Sequence, residues 1–308
     1  GEAVDAIPLT AGALSVTILT WGAIVQDVRL AGPRHNLTIG SHDIADYEGA
    51  MMHHGSLIGP IVNRISTGRV RIDGMMYELE RNQDGRIHLH SGKQATHRRI
   101  WTIDDVTPTK AVLSCTLRDG ECGLPGNRQI TATYHVTAPA TLHLTITGDT
   151  DAATMMNFAN HSYWNLDGSD SYDGHRLQVH ADRYLPSTAD NYPTGEIVDV
   201  ANTEMDFRNA RKVSINNPPF DNNFCLSDHK RPIADALTLT GMNGVRMTVA
   251  TDQTGIQVFD NRPDYQGLAI EAQSWPDAPT NRNFPPILVT PDAPYHQSTR
   301  FTFENGDT

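Results

Sequence analysis

Apolar and polar residues alternate in one short segment after another, and this alternation constrains the fold of the 308-residue chain most strongly. It runs through residues 14–30 on both sides of a Trp21-Gly22 break, and through residues 68–79 on both sides of the turn residues Asp73-Gly74. It recurs in residues 101–118, 128–136, 140–148, 176–181, 245–250, 255–259, 267–273 and 298–303. A period of two residues is typical of half-buried strands, so the pattern predicts many β-strands joined by short turns.

Helical periodicity is confined to short pieces, the best of which are residues 44–49 and 232–239. Because parallel strands need crossover connections that are usually helical, the pattern argues against a βα-barrel and a doubly wound sheet. No fixed-period repeat, low-complexity segment or Pro/Gly/Ser-rich linker divides the chain. We therefore predict an all-β fold, a large antiparallel β-sandwich with few short helices, formed as a single domain over residues 1–308.

The charge and the cysteine content limit which classes of binding partner and which cellular compartment can be expected. A formal net charge of −12 disfavours binding to nucleic acid or to an anionic membrane surface, and no apolar run reaches the roughly 18 residues of a spanning helix. The cysteines, Cys115, Cys122 and Cys225, form no Cys-x-x-Cys pair, which argues against a disulfide framework and a thiolate zinc site. These observations predict a soluble cytoplasmic protein, a monomer or a homodimer, although the chain starts at Gly1 and an export signal removed upstream stays open.

Residues 157–168 look least like ordinary strand material. Polar side chains fall on both faces of this stretch, interleaved with aromatic rings, and the stretch ends in the turn pair Asp167-Gly168. The polar members are Asn157, Asn160, His161, Ser162 and Asn165. If buried, each must find a hydrogen bond or cost about 1 to 3 kcal/mol. The stretch is therefore either a satisfied polar network beside a hairpin or part of a site that binds a polar ligand against aromatic rings.

Two motifs in the first third of the chain also carry ligand-binding side chains. In Asn63-Arg64-Ile65 the guanidinium can fork to sugar hydroxyls or to a carboxylate, or can pair with a surface acid. In His88-Leu89-His90 the strand period places both imidazoles on one face, as in a two-histidine metal site. Residues 93–99 supply no carboxylate ligand, which argues against a metal.

Two further motifs lie in the last third of the chain. Asp221 stands between Phe220 and Phe224, where it either accepts hydrogen bonds from hydroxyls or caps the turn after Pro219. In residues 268–273 the alternation puts Glu271 in the middle of an otherwise uncharged strand. Such a carboxylate either meets solvent or is a base held in a cleft. The Trp- and Pro-rich loop of residues 275–279 that follows is typical of a pocket rim and favours the cleft.

Taken together and in this order, the motifs resemble the aldose 1-epimerase family, also called galactose mutarotases. The matching segments are Trp21-Gly22-Ala23, Asn63-Arg64-Ile65, His88-Leu89-His90, Asn160-His161-Ser162-Tyr163, Pro193-Thr194-Gly195, Asp206-Phe207-Arg208, Phe220-Asp221, Gly255-Ile256-Gln257, Glu271-Ala272-Gln273, Pro276-Asp277-Ala278-Pro279 and Phe284-Pro285. Each tripeptide alone means little, but this many in register is specific. The resemblance implies a large antiparallel β-sandwich that binds a sugar in an open cleft.

The resemblance also implies an activity and roles for individual residues. The implied reaction interconverts the α and β anomers of a free aldose such as glucose or galactose, with Glu271 as general base and His161 as general acid. No metal or other cofactor is implied, and the partner is the small-molecule sugar alone. The residues implied to hold its hydroxyls are Asn63, Arg64, His90, Asp221 and, less directly, Gln257.

Departures from the family pattern bear on the sugar rather than on the reaction. Ser91 stands where the family usually has Gly, and Asn222 stands where it usually has His. Three alternatives remain at this stage. An epimerase for phosphorylated hexoses would need several cations in its cleft, a glycosidase would need a pair of carboxylates, and a catalytically silent sugar-binding protein would have lost the acid or the base.

Overall fold

The strands follow one another from end to end of the chain in a computed structural model that describes residues 3–260, 262 and 264–306. The first half contains β1 (Ala6–Ala11), β2 (Leu14–Leu19), β3 (Ile24–Leu30), β4 (Leu57–Ile58), β5 (Arg64–Ile65), β6 (Arg69–Ile72), β7 (Met75–Glu78), β8 (His88–Leu89), β9 (Thr102–Val106), β10 (Lys110–Leu117), β11 (Arg128–Thr137), β12 (Thr141–Thr150) and β13 (Thr154–Met155). The second half contains β14 (Ala159–Asn160), β15 (Tyr163–Trp164), β16 (Arg176–Val179), β17 (Arg183–Leu185), β18 (Val198–Asp199), β19 (Arg211–Lys212), β20 (Asp221–Cys225), β21 (Ala234–Thr240), β22 (Arg246–Thr251), β23 (Gly255–Asp260), β24 (Leu268–Gln273), β25 (Leu288–Val289) and β26 (Tyr295–Glu304).

Two large antiparallel sheets dominate the architecture. The larger has nine strands in the order β19-β16-β21-β22-β26-β12-β11-β10-β9, and the smaller has six in the order β15-β24-β23-β20-β17-β18. A three-stranded sheet, β1-β2-β3, and four two-stranded pairs complete the described strands. The C-terminal strand β26 lies in the middle of the nine-stranded sheet, between β22 and β12, so the end of the chain is needed to complete the sheet.

The main hydrophobic core is built by side chains of all three of the larger sheets. It joins Val16 of the three-stranded sheet, Ile146 and Phe301 of the nine-stranded sheet and Ile270 of the six-stranded sheet, each of which is almost completely buried. Apolar residues on one face of each strand therefore meet across the layers, which is the packing of a β-sandwich. The predicted large antiparallel β-sandwich is confirmed.

Helical segments are short and only partly as predicted. The helix α1 (Ile44–Glu48) confirms one predicted piece, and 3-10 turns occur at Gly92–Gln94, Thr96–Arg98 and Glu121–Gly123. The helix predicted for residues 232–239 is wrong, because this segment forms β21 between β16 and β22. A bulge between Asp235 and Leu237 buries the adjacent Ala236 and Leu237, which breaks the alternation and produces helix-like spacing. In the described part of the chain, no helix is long and apolar enough to cross a membrane.

Candidate active site

Glu271 occupies the middle of β24, inside the six-stranded sheet. Its partner across the ladder is Gln257 of β23, and on its other edge β24 pairs with β15 through Leu268 and Ala269. All six residues of β24 are buried, and Glu271 is only 2% exposed. The solvent-facing alternative for Glu271 is therefore wrong. Burial, reinforced by the charge of Asp221, raises the pKa of the Glu271 carboxyl to about 8, despite the opposing charge of Arg64.

His161 lies in the irregular connection between β14 and β15. Its backbone N–H donates to the carbonyl of Ser56 at 2.9 Å, and its carbonyl accepts from the N–H of Gly55 at 3.1 Å. The Asn160 side chain reinforces the attachment by donating to the Gly55 carbonyl at 2.7 Å. These bonds fix the imidazole with Nε2 at 3.5 Å from Oε1 of Glu271. Burial, with a smaller contribution from His53, lowers the pKa of His161 well below 6.5.

Arg64 and Asp221 face each other beside this pair. Arg64 Nη1 lies 3.5 Å from Asp221 Oδ2, and Gln257 Nε2 donates to Asp221 Oδ1 at 2.8 Å. Both charged side chains are nearly buried. Asp221 begins the strand β20 and does not cap a turn, and Arg64 pairs with this buried acid rather than with a surface one. Burial raises the pKa of Asp221 more than Arg64 and Gln257 lower it.

Asn63 and His90 are joined by reciprocal hydrogen bonds. The Asn63 N–H donates to His90 Nδ1 at 3.1 Å, and the His90 N–H donates to the Asn63 carbonyl at 3.0 Å. The His90 ring centroid then lies 5.5 Å from that of His161. The predicted site residues Asn63, Arg64, His90, His161, Asp221, Gln257 and Glu271 are thus connected by short contacts, although they come from distant parts of the sequence.

His88 is oriented differently from His90. The strand β8 ends at Leu89, and His90 adopts a left-handed φ of 50°, so the single strand face predicted for the two imidazoles does not form. His88 Nδ1 instead lies 2.7 Å from the backbone carbonyl of Glu80. Within the described residues, no three His, Cys, Asp or Glu side chains are arranged to hold a metal ion.

The residues that depart from the family pattern both bond to backbone. Ser91 Oγ accepts from the Ile61 N–H at 2.7 Å and donates to the Ile61 carbonyl at 3.0 Å. Asn222 Nδ2 donates to the Leu185 carbonyl at 3.2 Å. Both side chains therefore tie the segments that carry His90 and Asp221 to neighbouring elements.

Sequence reasoning missed two parts of this site. The imidazole of His53 lies 4.8 Å from that of His90 and 5.7 Å from that of His161, measured between ring centroids. The pair His53-His54 before Gly55 was an available signal, since adjacent histidines are uncommon material for a loop. The carbonyl of Asn191, which accepts from Arg64 Nη1 at 3.0 Å, had no sequence signal, because backbone groups look alike in every loop.

Comparison with known proteins agrees with this architecture. A sequence model of the family described as aldose 1-epimerase matches residues 5–302. Galactose mutarotase of Rattus norvegicus is 30% identical over 98% of this chain and 95% of its own length. Aldose 1-epimerase of Escherichia coli K12 is 27% identical over 94% of this chain and 91% of its own length. The maltose epimerase of Levilactobacillus brevis is 28% identical, with the same coverage of each chain.

Solved structures show the same fold. A GalM/aldose epimerase homologue from C. elegans superposes with a TM-score of 0.92 at 24% identity, over 99% of this chain and 100% of the other. A galactose 1-epimerase from Lactobacillus acidophilus superposes with a TM-score of 0.84 at 23% identity, over 100% of both chains. The family match and the fold together thus define an isomerase built on a galactose mutarotase-like β-sandwich. The chain belongs to the aldose 1-epimerase family, and its reaction is the interconversion of the α and β anomers of an aldose.

Proposed function

We propose that Glu271 and His161 perform this anomer interconversion on a free aldose. Glu271 accepts the proton of the C1 hydroxyl while His161 donates a proton to the ring oxygen, so the C1–O5 bond breaks and the open-chain aldehyde forms. Rotation about C1–C2 presents the other face of the aldehyde. Reclosure forms the C1–O5 bond again, with His161 accepting the proton of the attacking hydroxyl and Glu271 returning a proton to the carbonyl oxygen.

The observation that carries this proposal is the 3.5 Å separation of His161 Nε2 and Glu271 Oε1. The C1 hydroxyl oxygen and the ring oxygen are bonded to the same carbon atom, so the two groups that exchange protons with them must lie side by side. One carboxylate beside one imidazole meets this requirement, and the burial of both keeps water from competing for the protons.

The pKa shifts support a single proton held by the pair. The pKa of Glu271 is raised to about 8 and that of His161 is lowered, so at neutral pH the empty site holds one proton, on the carboxyl. The reactive form with an ionised Glu271 and a protonated His161 contains the same number of protons. A proton therefore only has to move from oxygen to nitrogen when the sugar binds, and none has to be taken from solvent.

We further propose that the remaining polar groups of the site hold the sugar hydroxyls. Arg64 supplies donors, Asp221 supplies acceptors, and His90 and Gln257 supply neutral groups, while Asn63 positions His90 through their reciprocal bonds. The name of the rat relative supports galactose as the free aldose, and the name of the Escherichia coli relative supports an aldose without specifying which. The name of the Levilactobacillus brevis relative makes maltose a further sugar to test.

The cations nearby do not favour a phosphorylated hexose. The charge of Arg64 is paired with Asp221, and its guanidinium also binds Gln83 and a backbone carbonyl, so it can donate to a neutral hydroxyl but does not present an unpaired charge to a phosphate. Lys93 is 83% exposed and pairs with Glu80. A glycosidase is not favoured either, because the second acid near Glu271 is Asp221, which is engaged by Arg64 and Gln257.

Polarimetry on freshly dissolved α-glucose, α-galactose and α-maltose tests the proposal. We expect the wild-type protein to accelerate the relaxation of optical rotation for at least one of these sugars, and Glu271→Gln to be slower by about 10² to 10⁴ fold. Full activity after dialysis against a chelator is also expected. If the wild-type protein relaxes no aldose faster than buffer, the proposed roles are wrong.

We also propose a cytoplasmic location and a single working domain. The location is supported by the cysteines, all of which are buried free thiols, as is usual in a reducing compartment. The single domain is supported by one hydrophobic core that draws on residues from Ile7 to Phe303. Residues 1, 2, 261, 263, 307 and 308 lie outside the described part. A monomer or a homodimer stays a prediction, tested by the mass in solution.

A further inference from the structure

Four imidazoles cluster in the site, and one of them is that of His161, a member of the proposed acid–base pair. The His53 ring lies at the centre, with centroid distances of 4.8 Å to His90, 5.2 Å to His97 and 5.7 Å to His161. Two of its neighbours, His90 and His161, belong to the proposed sugar-binding machinery. His53 has no place in that machinery as described so far.

The loop that carries His53 is fastened to the segment that carries His161. Residues 55 and 56 make both backbone hydrogen bonds of His161, and Asn160 binds the Gly55 carbonyl. The loop is closed internally, because Ser56 donates to the His53 carbonyl through both its backbone N–H and its hydroxyl. His53 is therefore held in a fixed position relative to His161 and does not swing on a free loop.

His53 differs from its three neighbours in exposure. His90, His97 and His161 are buried, whereas His53 is partly exposed. Among the described residues, none forms a hydrogen bond to its ring nitrogens, although three other imidazoles surround it. A polar ring that is packed into position, partly open and unpaired is suited to a ligand that occupies the cleft.

The protonation state of His53 suits a hydroxyl. Although part of the residue is exposed, its ring is desolvated where it packs among the other imidazoles, and this desolvation, with the nearby charge of Arg98, lowers the pKa of His53 to about 4. The imidazole is therefore neutral at physiological pH. A neutral imidazole presents one N–H donor and one acceptor nitrogen. A sugar hydroxyl, which is itself both donor and acceptor, matches either of them.

We propose that His53 is a further sugar-contacting residue, which holds one hydroxyl of the substrate beside His90 and His161 and so determines which aldoses are accepted. The inference rests on the proposed function, because it places the sugar against the imidazole cluster. It adds a specificity-determining contact from a loop for which the reaction itself supplies no role.

The test is a double-mutant cycle in which one change removes the His53 imidazole and the other removes one hydroxyl of the sugar. His53→Phe keeps a planar ring of similar size and removes both nitrogens. The value of kcat/KM is measured for wild type and variant with glucose and with its 2-, 3-, 4- and 6-deoxy analogues. We expect His53→Phe to lower kcat/KM for glucose roughly 3- to 10-fold, the usual worth of a neutral hydrogen bond. For one deoxy analogue the loss should vanish, because that analogue lacks the hydroxyl that His53 holds.

His97→Phe is the matched control, because His97 also contacts His53 but is buried. Any loss it causes is expected to be equal for all five sugars. The cycle is repeated with His53→Ala, so that a folding defect of the phenylalanine variant does not decide the outcome. An equal loss for every sugar, or no loss for any, overturns the assignment of His53. If the wild-type protein epimerises none of these sugars and neither galactose nor maltose, the proposed function fails instead.

Discussion

The two members of the proposed acid–base pair, Glu271 and His161, are held in place by opposite kinds of structure. Glu271 lies in β24, where the ladder with β23 runs in unbroken register from Leu268 to Gln273. His161 lies between two strands of two residues each, β14 and β15, and is held by bonds to residues 55 and 56 of a distant loop. Glu271 is thus placed by a regular sheet, and His161 is placed by a few individual hydrogen bonds.

The difference bears on how each position tolerates change. A side chain in the middle of a sheet is positioned by many equivalent backbone bonds, and no single neighbour decides its location. The position of His161 depends on a few bonds, of which the Asn160 side-chain bond is one. We therefore expect substitutions around Glu271 to change chemistry or binding, and substitutions around His161 to change geometry as well.

The largest effects are expected from the pair itself. Glu271→Gln and His161→Gln should each lower kcat by about 10² to 10⁴ fold, because each removes one proton-transfer group. The kcat of the double variant should be only slightly below that of the less active single variant, since acid and base act as one unit. The measurement is kcat by polarimetry at saturating sugar. Wild-type kcat in either single variant would remove that residue from the reaction.

Asn160→Leu should disturb the position of His161, which depends on hydrogen bonds to residues 55 and 56. This change removes one of two donors to the Gly55 carbonyl, which keeps the Val25 N–H, and leaves the Ser162 N–H without its acceptor. The expected cost is about 1 to 3 kcal/mol in the free energy of unfolding. Displacement of His161 should lower kcat about 10- to 100-fold as well. Chemical denaturation and kcat are measured together on the same variant.

Asn165→Leu provides the matched control. Asn165 is equally buried and donates to the carbonyls of Ser169 and Gln266, but it makes no bond to the loop that holds His161. It should lose a similar free energy of unfolding with little change in kcat. If Asn160→Leu and Asn165→Leu lower kcat alike, the Asn160 cross-link does not position His161.

The same contrast decides what the sequence could predict. The strand of Glu271 was visible, because sheet placement follows from local alternation. The buried strand β20 was not among the predicted strands, because it begins Asp221-Asn222-Asn223, and these polar residues are depleted in strands. Their side chains find partners such as Gln257 and Ser187, which are distant in the sequence. His161 could be singled out, but its bonds to residues 55 and 56 could not, because they are made by backbone groups, which look alike in every loop.

The pH dependence of kcat/KM should report the single proton of the pair. Because burial raises the pKa of Glu271 to about 8, the free enzyme loses that proton above pH 8, and kcat/KM should fall about tenfold for each further pH unit. On the acid side, the pKa of His161 is lowered, so activity should persist below pH 6.5. Rates are corrected for mutarotation by buffer. A fall in kcat/KM centred near pH 6.5 would contradict the lowered pKa of His161.

The smallest effect is expected from Gln83, a loop residue that supports Arg64 beside the six-stranded sheet. Gln83 accepts from Arg64 Nε at 2.9 Å, and its side chain also points to the carbonyl of Asp190, so it helps to aim the guanidinium at Asp221. Gln83→Ala should raise KM roughly 2- to 5-fold and leave kcat nearly unchanged, since Arg64 keeps its contacts with Asp221 and with the Asn191 carbonyl. Arg81→Ala, which removes an exposed pair with Glu78, should change neither constant. A lower kcat in Gln83→Ala would show that Arg64 acts on the proton-transfer step. The expectation that a loop contact on the Glu271 side affects only sugar binding would then be wrong.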